Sequence, residues 1–257
     1  MSVHVRIYGD GPDLVFVHGW GLRSVVWDTL IPALELRYRV HLLDLPGHGE
    51  SSWDDSIEDL ATLAASVATI VPNHATLVGW SLGGLVAQYL AAHRPDLVAT
   101  LVLITSTPKF LAEGDWTSGV EPAVLDDFAT KLKTNYAQTV SDFLTLQVRG
   151  QERATATLRE LKARILPGPQ PDQRALQVTL DILRRSDLRN ELASIHQPTL
   201  VLAGEHDRLT PPAACEYLAE HIRGAQFRLF HRAAHALFIS HAEKFTLELL
   251  TFLASHV

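Results

Sequence analysis

Ala75-Thr-Leu-Val-Gly-Trp-Ser-Leu-Gly-Gly-Leu-Val-Ala-Gln-Tyr-Leu-Ala-Ala-His93 runs from a short apolar stretch through a glycine-rich turn into a longer helical pattern. Ala75–Val78 has the continuity of a strand covered on both faces, and Gly84–His93 reads as a helix. Between them, Gly79-Trp80-Ser81-Leu82-Gly83 fits G-x-S-x-G in the strand-turn-helix setting that this pattern requires. A sharp, strained turn there lifts the serine hydroxyl above the carboxyl ends of a sheet, where α/β proteins hold ligands. Small neighbours let the backbone pack closely around it. Ser81 is therefore the candidate nucleophile, against the plainer alternative of an ordinary serine in a glycine-rich turn.

The same rhythm extends both ways. Leu14–Val17, Val40–Asp44, Leu101–Ile104, Thr199–Ala203 and Gln226–Phe230 are further buried-strand candidates. Helical patterns lie near 56–71, 82–93, 211–221 and 241–255. Alternation of this kind predicts an α/β fold, a mostly parallel sheet with helices on both faces. From about Phe110 to Leu192 the rhythm breaks. Only helical patterns occur there: Val124–Lys133, Thr139–Gln147, Glu152–Ile165 and Gln173–Arg185, the last two separated by Pro167-Gly-Pro-Gln-Pro171. The expectation is one domain, 1–257, with a helical lid inserted at about 110–192, since long inserts in compact domains usually serve function.

A serine hydroxyl needs a base. The order expected after such an elbow is serine, acid, histidine. Leu202-Ala-Gly-Glu-His-Asp207 puts Asp207 in the loop after the fifth strand, and His231-Arg-Ala-Ala-His235 puts His235 after the sixth. Asp207 would orient His235, which would take the Ser81 proton. Glu205 and His206 beside the acid, and His231 and His241 beside the base, remain rivals. Asp44 also ends a strand, but Asp44-Leu-Pro-Gly-His-Gly49 reads as a turn tying down the sheet edge. An oxyanion hole needs two backbone N–H groups. The candidates are Leu82, next to the serine, and Trp20 in His18-Gly-Trp-Gly21.

Together the His-Gly-Trp-Gly loop, the Gly-Trp-Ser-Leu-Gly-Gly elbow, the Asp207 loop and Ala-Ala-His235 resemble the α/β-hydrolase superfamily. The longer strings HGWGL, DLPGHGES, GWSLGGLVA and AAHALFISH, with FLTLQ in the insert, resemble one of its families, the pimeloyl-acyl-carrier-protein methyl ester carboxylesterases of biotin synthesis. The resemblance runs from the first strand to the last helix. It implies hydrolysis of the methyl ester on a pimeloyl chain carried by acyl carrier protein, with Ser81, Asp207 and His235 catalytic and Trp20 and Leu82 as oxyanion donors. It also implies substrate contacts at Trp20, Leu82, Phe143, Leu144, Thr145, Leu146 and Gln147. No metal or organic cofactor is implied, and the phosphopantetheine arm belongs to the partner.

Charge bears on that partner. Thr130 to Ile165 holds seven bases (Lys131, Lys133, Arg149, Arg153, Arg159, Lys162, Arg164) and three acids (Asp142, Glu152, Glu160), a local +4 on a chain of −7. A basic insert on an acidic body suits an acidic carrier, although a solvated helix face carries mixed charges too. The family pattern has arginines on these helices where this chain has Gln138, Asp142 and Thr155. Arg159 fits that pattern, and Arg149 and Arg153 are possible substitutes.

The acidic whole, 22 Lys+Arg against 29 Asp+Glu, argues against general nucleic-acid binding. Leu60–His93 has no Asp, Glu, Lys or Arg, yet Pro72, Asn73, His74 and several glycines interrupt it, so a buried strand and helix explain it better than a membrane span. The N-terminal residues lack the apolar core of a secretory signal. Cys215, the single cysteine, excludes an internal disulfide and is expected to be a buried structural thiol. These features predict a cytoplasmic monomer. Two classes of rival follow from the same residues. A general carboxylesterase for short-chain esters, or another hydrolase such as a lipase or a carbon–carbon bond hydrolase, would use the same triad. A haloalkane dehalogenase would need a carboxylate at Ser81. A non-catalytic binding module could retain the pocket alone.

Overall fold

The structure, a computed structural model, describes residues 2–257, the side chains of residues 136 and 137 excepted. Seven strands form one sheet: β1 (Val5–Tyr8), β2 (Asp13–Val17), β3 (Arg39–Leu43), β4 (Ala75–Trp80), β5 (Val98–Ile104), β6 (Thr199–Gly204) and β7 (Gln226–Phe230). Their order is β1-β3-β2-β4-β5-β6-β7, and every pairing is parallel except β1 with β3. The six strands read from sequence are all present. β1 is additional: four residues at the sheet edge, with Arg6 and Ile7 turned partly or wholly to solvent, held by pairing to β3 rather than by any apolar run of its own.

Among the described residues ten α-helices follow in chain order: α1 (Ile31–Leu34), α2 (Leu60–Ala68), α3 (Leu82–His93), α4 (Pro122–Thr134), α5 (Tyr136–Gln147), α6 (Ala154–Ile165), α7 (Gln173–Arg185), α8 (Pro212–His221), α9 (Leu237–Ser240) and α10 (Ala242–Leu253). α2 is shorter than the pattern at 56–71 suggests, because Asp59 caps it: its carboxylate accepts from the Thr62 N–H while the Thr62 hydroxyl accepts from the Asp59 N–H.

Side chains alternate across the strands, and this splits the core in two. Val15, Val17, Leu77, Leu101, Leu103 and Val201 pack against α2, α3 and α8. Leu14, Phe16, Val78, Trp80, Val102 and Leu202 pack on the opposite face against Trp27, α9 and α10. Both sheet faces are therefore covered, which is why the strands read as unbroken apolar runs. Helices α4 to α7 enter the chain between β5 and β6. Lys109 and Asp187 clamp the base of this insert: they form an isolated bridge, and the buried Lys109 ammonium lies 3.3 Å from the Asp187 carboxylate and 3.1 Å from Glu113. No described helix is long and apolar enough to cross a membrane.

Candidate active site

β4 ends at Trp80 and α3 starts at Leu82, so Ser81 alone makes the turn. It does so at φ 55° and ψ −117°, a strained conformation for a residue with a Cβ. The strain is held by the surroundings. Ser81 N–H donates to Ile104 O at 3.1 Å, and its carbonyl accepts from Leu85 N–H and the Ser106 hydroxyl. α3 lies hard against β2: a Cβ on Gly83 would fall 2.3 Å from Val17 O. Gly19, in the loop after β2, brings its backbone to Ser81, where an added Cβ would meet the serine Cβ at 3.3 Å.

Asp207 and His235 come together beside this elbow. Asp207 Oδ2 lies 2.7 Å from His235 Nδ1, with side chains 0% and 2% exposed. Each carboxylate oxygen has further donors. Oδ1 accepts from the Leu209 and Thr210 N–H groups, and Oδ2 from the Thr210 hydroxyl at 2.7 Å. Thr210 Oγ1 also stands 3.3 Å from His235 Nδ1. The carbonyl of His235 accepts from the Trp80 indole at 3.0 Å and the Thr105 hydroxyl at 2.9 Å. Trp80 is the residue before Ser81, so the histidine loop is fastened to the elbow itself. With Nδ1–H given to Asp207, Nε2 is left as the basic nitrogen. The rivals lie outside: Glu205 is exposed and holds His231 and the Arg232 N–H, and His206 is exposed. His241 is partly buried, its Nδ1 bonded to the Ser240 hydroxyl, and burial lowers its pKa.

Among the described residues, the N–H groups of Trp20 and Leu82 donate to no protein acceptor. The loop that presents Trp20 is held by three polar residues that sequence reasoning did not single out or read only as a turn. His18 Nε2 accepts from Leu45 N–H at 3.0 Å and its Nδ1 faces Gly19 O at 2.8 Å. His48 Nε2 accepts from Gly21 N–H at 3.2 Å and its Nδ1 faces Pro46 O at 2.9 Å. Each ring thus donates with one nitrogen and accepts with the other, which only a neutral imidazole does. Burial accordingly pushes both pKa values down, that of His48 to about 3 with His18 adding to the effect. Asp44 accepts from the Ser24 and Glu50 N–H groups and so ties the loops after β2 and β3 together, as the turn reading expected. Burial works against its charge while these two N–H groups favour it, and the carboxyl lies below its ordinary range. The sequence hints at the pair only in that each histidine stands beside a glycine in a loop after a strand.

Above Ser81 lies a narrow apolar cavity of about 50 Å³, walled by Trp20, Phe110, α4, α5 and α7. Trp20 makes edge contacts with Phe128 and Phe143, both at 5.2 Å, and its indole N–H donates to Leu176 O of α7. Of the five insert residues implied as substrate contacts, Phe143 and Leu146 line this cavity. Helical geometry sends the others elsewhere. Leu144 is buried on the opposite side with Leu161 and Ile165. Thr145 is exposed and bonds back to Ser141 O. Gln147 is buried, its carbonyl accepting the His235 N–H and its side-chain amide without a partner. Leu82 is buried beneath the serine and contributes no side chain to the lining. Leu125, Phe128, Leu180 and Leu183 add to the wall from helices whose inward faces the sequence pattern does not distinguish. Arg149, Arg153 and Arg159 are exposed, and none is in an ion pair among the described residues. Cys215 is buried against Ser106 O, and burial raises its pKa, as suits a structural thiol. No described cluster of His, Cys, Asp or Glu could hold a metal ion.

A family profile described as the alpha/beta hydrolase fold matches residues 12–242. A pimeloyl-[acyl-carrier protein] methyl ester esterase of Nitrosomonas europaea is 42% identical over 95% of this chain and 96% of its own length. One from Aeromonas hydrophila gives the same identity and coverage. The chain belongs to this esterase family of the α/β hydrolases. Among solved structures, an esterase from Exiguobacterium antarcticum superposes with a TM-score of 0.90 over 98% of this chain and 95% of its own, at 24% identity, and so speaks to the fold alone. An enol-lactonase from Burkholderia xenovorans reaches 0.84 over 98% and 96%, at 25% identity.

Proposed function

We propose that this esterase hydrolyses the methyl ester of a pimeloyl chain carried on acyl carrier protein, the reaction for which its 42%-identical relatives are named, in the cytoplasmic synthesis of biotin. The observation that carries the chemistry is the buried Asp207–His235 pair fastened through Trp80 to the strained Ser81 turn. His235 Nε2 takes the hydroxyl proton as Ser81 Oγ attacks the ester carbonyl. The Trp20 and Leu82 N–H groups, free of protein acceptors, receive the oxyanion. His235 then gives the proton to departing methanol, and water, activated by the same nitrogen, releases the acid from Ser81. Asp207 keeps the imidazole in the required tautomer and stabilises its charged form. Helices α4 to α7 serve as the lid: Phe143 and Leu146 hold the acyl chain, and exposed Arg149, Arg153 and Arg159 meet the acidic carrier. The enzyme works as a monomer.

The test is methanol release from the carrier-bound methyl ester, the free methyl ester and a short aryl ester. Preference for the carrier-bound form, weakened by salt, is the expected result. Cleavage of the small esters only would leave a general carboxylesterase. Ser81→Ala that still releases methanol would overturn the serine mechanism, and intact protein with no turnover of any ester would leave a binding module.

A further inference from the structure

The loop after β2 borders a second cavity, of about 80 Å³, beside the one that Trp20 closes over Ser81. Gly21, Leu22 and Arg23 form one wall; Val140 of α5 and the turn from Ile165 to Pro171 form the rest. Helix α5 thus lines both cavities, with Val140 in one and Phe143 and Leu146 in the other. Arg23 is the single charged side chain of this lining. It is half-buried, its Nη2 donates to Arg164 O at 2.5 Å, and its Nε is buried without a partner. No described carboxylate pairs with it, and Glu160, one turn before Arg164, is taken by Arg164 at 3.0 Å. Room for the guanidinium is made by Gly168, where a Cβ would come within 2.0 Å of Arg23 Cζ.

A guanidinium withdrawn from water with an unused N–H carries a desolvation cost that an anion would offset. Its planar fork of donors matches phosphate better than any other common group. We propose that Arg23 binds the phosphodiester of the carrier's phosphopantetheine arm while the acyl end occupies the apolar cavity over Ser81; this rests on the carrier-ester reading above. The reach is adequate. Gly19 touches Ser81, and four Cα–Cα steps of 3.80 Å put Arg23 within about 15 Å of it along the chain. A seven-carbon acyl chain joined to pantetheine covers that span with slack. Because the turn beside Arg23 is Pro167-Gly-Pro-Gln-Pro171, the far wall is stiff and poor in N–H donors, which leaves the arginine as the principal source of recognition.

The experiment compares kcat/KM for two methyl pimeloyl thioesters, one of 4′-phosphopantetheine and one of pantetheine. Wild-type protein should favour the phosphorylated arm by about tenfold or more, a usual gain for a charge-assisted hydrogen bond, and chiefly through KM. Arg23→Gln should bring that ratio near one, and Arg23→Lys, which keeps the charge without the fork, to an intermediate value, with thermal midpoints reporting that both variants fold. A wild-type ratio of one, or a ratio unchanged by either substitution, overturns the proposal. A uniform fall on both thioesters leaves the ratio intact and assigns Arg23 to clamping the loop instead. If wild-type protein cleaves a short aryl ester but neither thioester, the carrier-ester reading itself fails and takes this site with it.

Discussion

The edge of the sheet and the inserted helices meet over one serine, yet they are built by different rules. At the sheet edge each polar atom of the Asp207–His235 pair that is hydrogen-bonded has a short, directed partner, and both side chains are almost wholly out of water. The insert offers the serine a mostly apolar surface, from Phe128 and Phe143 to Leu180, and joins the body through polar points such as Trp20 Nε1 to Leu176 O and His235 N–H to Gln147 O. Directed hydrogen bonds fix the positions of atoms, whereas apolar packing fixes a volume. Damage to the first should therefore reduce turnover of every ester alike. Change in the second should sort esters by size.

The largest effect that would break this contrast is expected at Asp207. Asp207→Asn keeps the shape but removes the charge and favours the wrong imidazole tautomer. A fall in kcat of about 10⁴, the size known for this change in a serine protease, is expected for short and long esters equally. A loss confined to long esters would show that the acid acts through the cavity. Next comes the wall. Leu125→Trp fills part of the cavity over Ser81. It should lower kcat/KM for a pimeloyl methyl ester by roughly 10- to 200-fold while sparing methyl acetate. Equal losses on both esters would mean that the wall also shapes the reacting atoms.

A smaller effect is expected at Thr210. Its hydroxyl shares Asp207 Oδ2 with His235. Removing that donor leaves Oδ2 with one fewer hydrogen bond to hold it against the imidazole. Thr210→Val should therefore lower kcat by about tenfold on short and long esters alike, the size of one hydrogen bond to a charged group, and Thr210→Ser should restore it. An unchanged kcat would reduce Thr210 to packing.

How much of this was legible in the sequence follows the same division. Ser81, Asp207 and His235 stood out because each sits at a strand end in a local pattern that few other structures need. The insert was legible as helix, and α7 matches its pattern from Gln173 to Arg185. Its inward face was not, because whether Leu144 or Phe143 meets the serine depends on how α5 is rolled against α6. β1 is hidden for a related reason: Val5-Arg-Ile-Tyr8 becomes a strand only by pairing with β3, in the register of Val5 with Leu43 to Tyr8 with Val40. His18 and His48 were hidden as well. Nothing in HGWG or PGHG tells which distant N–H each ring accepts.

Those two rings give the smallest prediction, one that concerns stability rather than turnover. The loop that presents Trp20 is held by imidazoles that must stay neutral, so the sheet edge carries a pH liability that the apolar wall of the insert lacks. Above pH 6.5 both rings are neutral whether the chain is folded or not, and they impose no pH dependence. Below it the unfolded chain binds a proton at residue 48 that the folded protein refuses until about pH 3, so stability is lost as pH falls through that window, by at most about 1.4 kcal/mol per unit. His18, shifted the same way, adds to the slope. His48→Gln keeps an acceptor for the Gly21 N–H but cannot be protonated. It should be less stable than wild type at pH 7, having lost the bond to Pro46 O, and should lose less further stability between pH 6.5 and pH 4.5. Urea midpoints of both proteins at the two values give the double difference, in which the titration of the carboxylates cancels. Parallel losses would mean that His48 is already charged in the folded state, and then the ring could not accept from Gly21, nor the loop present Trp20 as the structure has it.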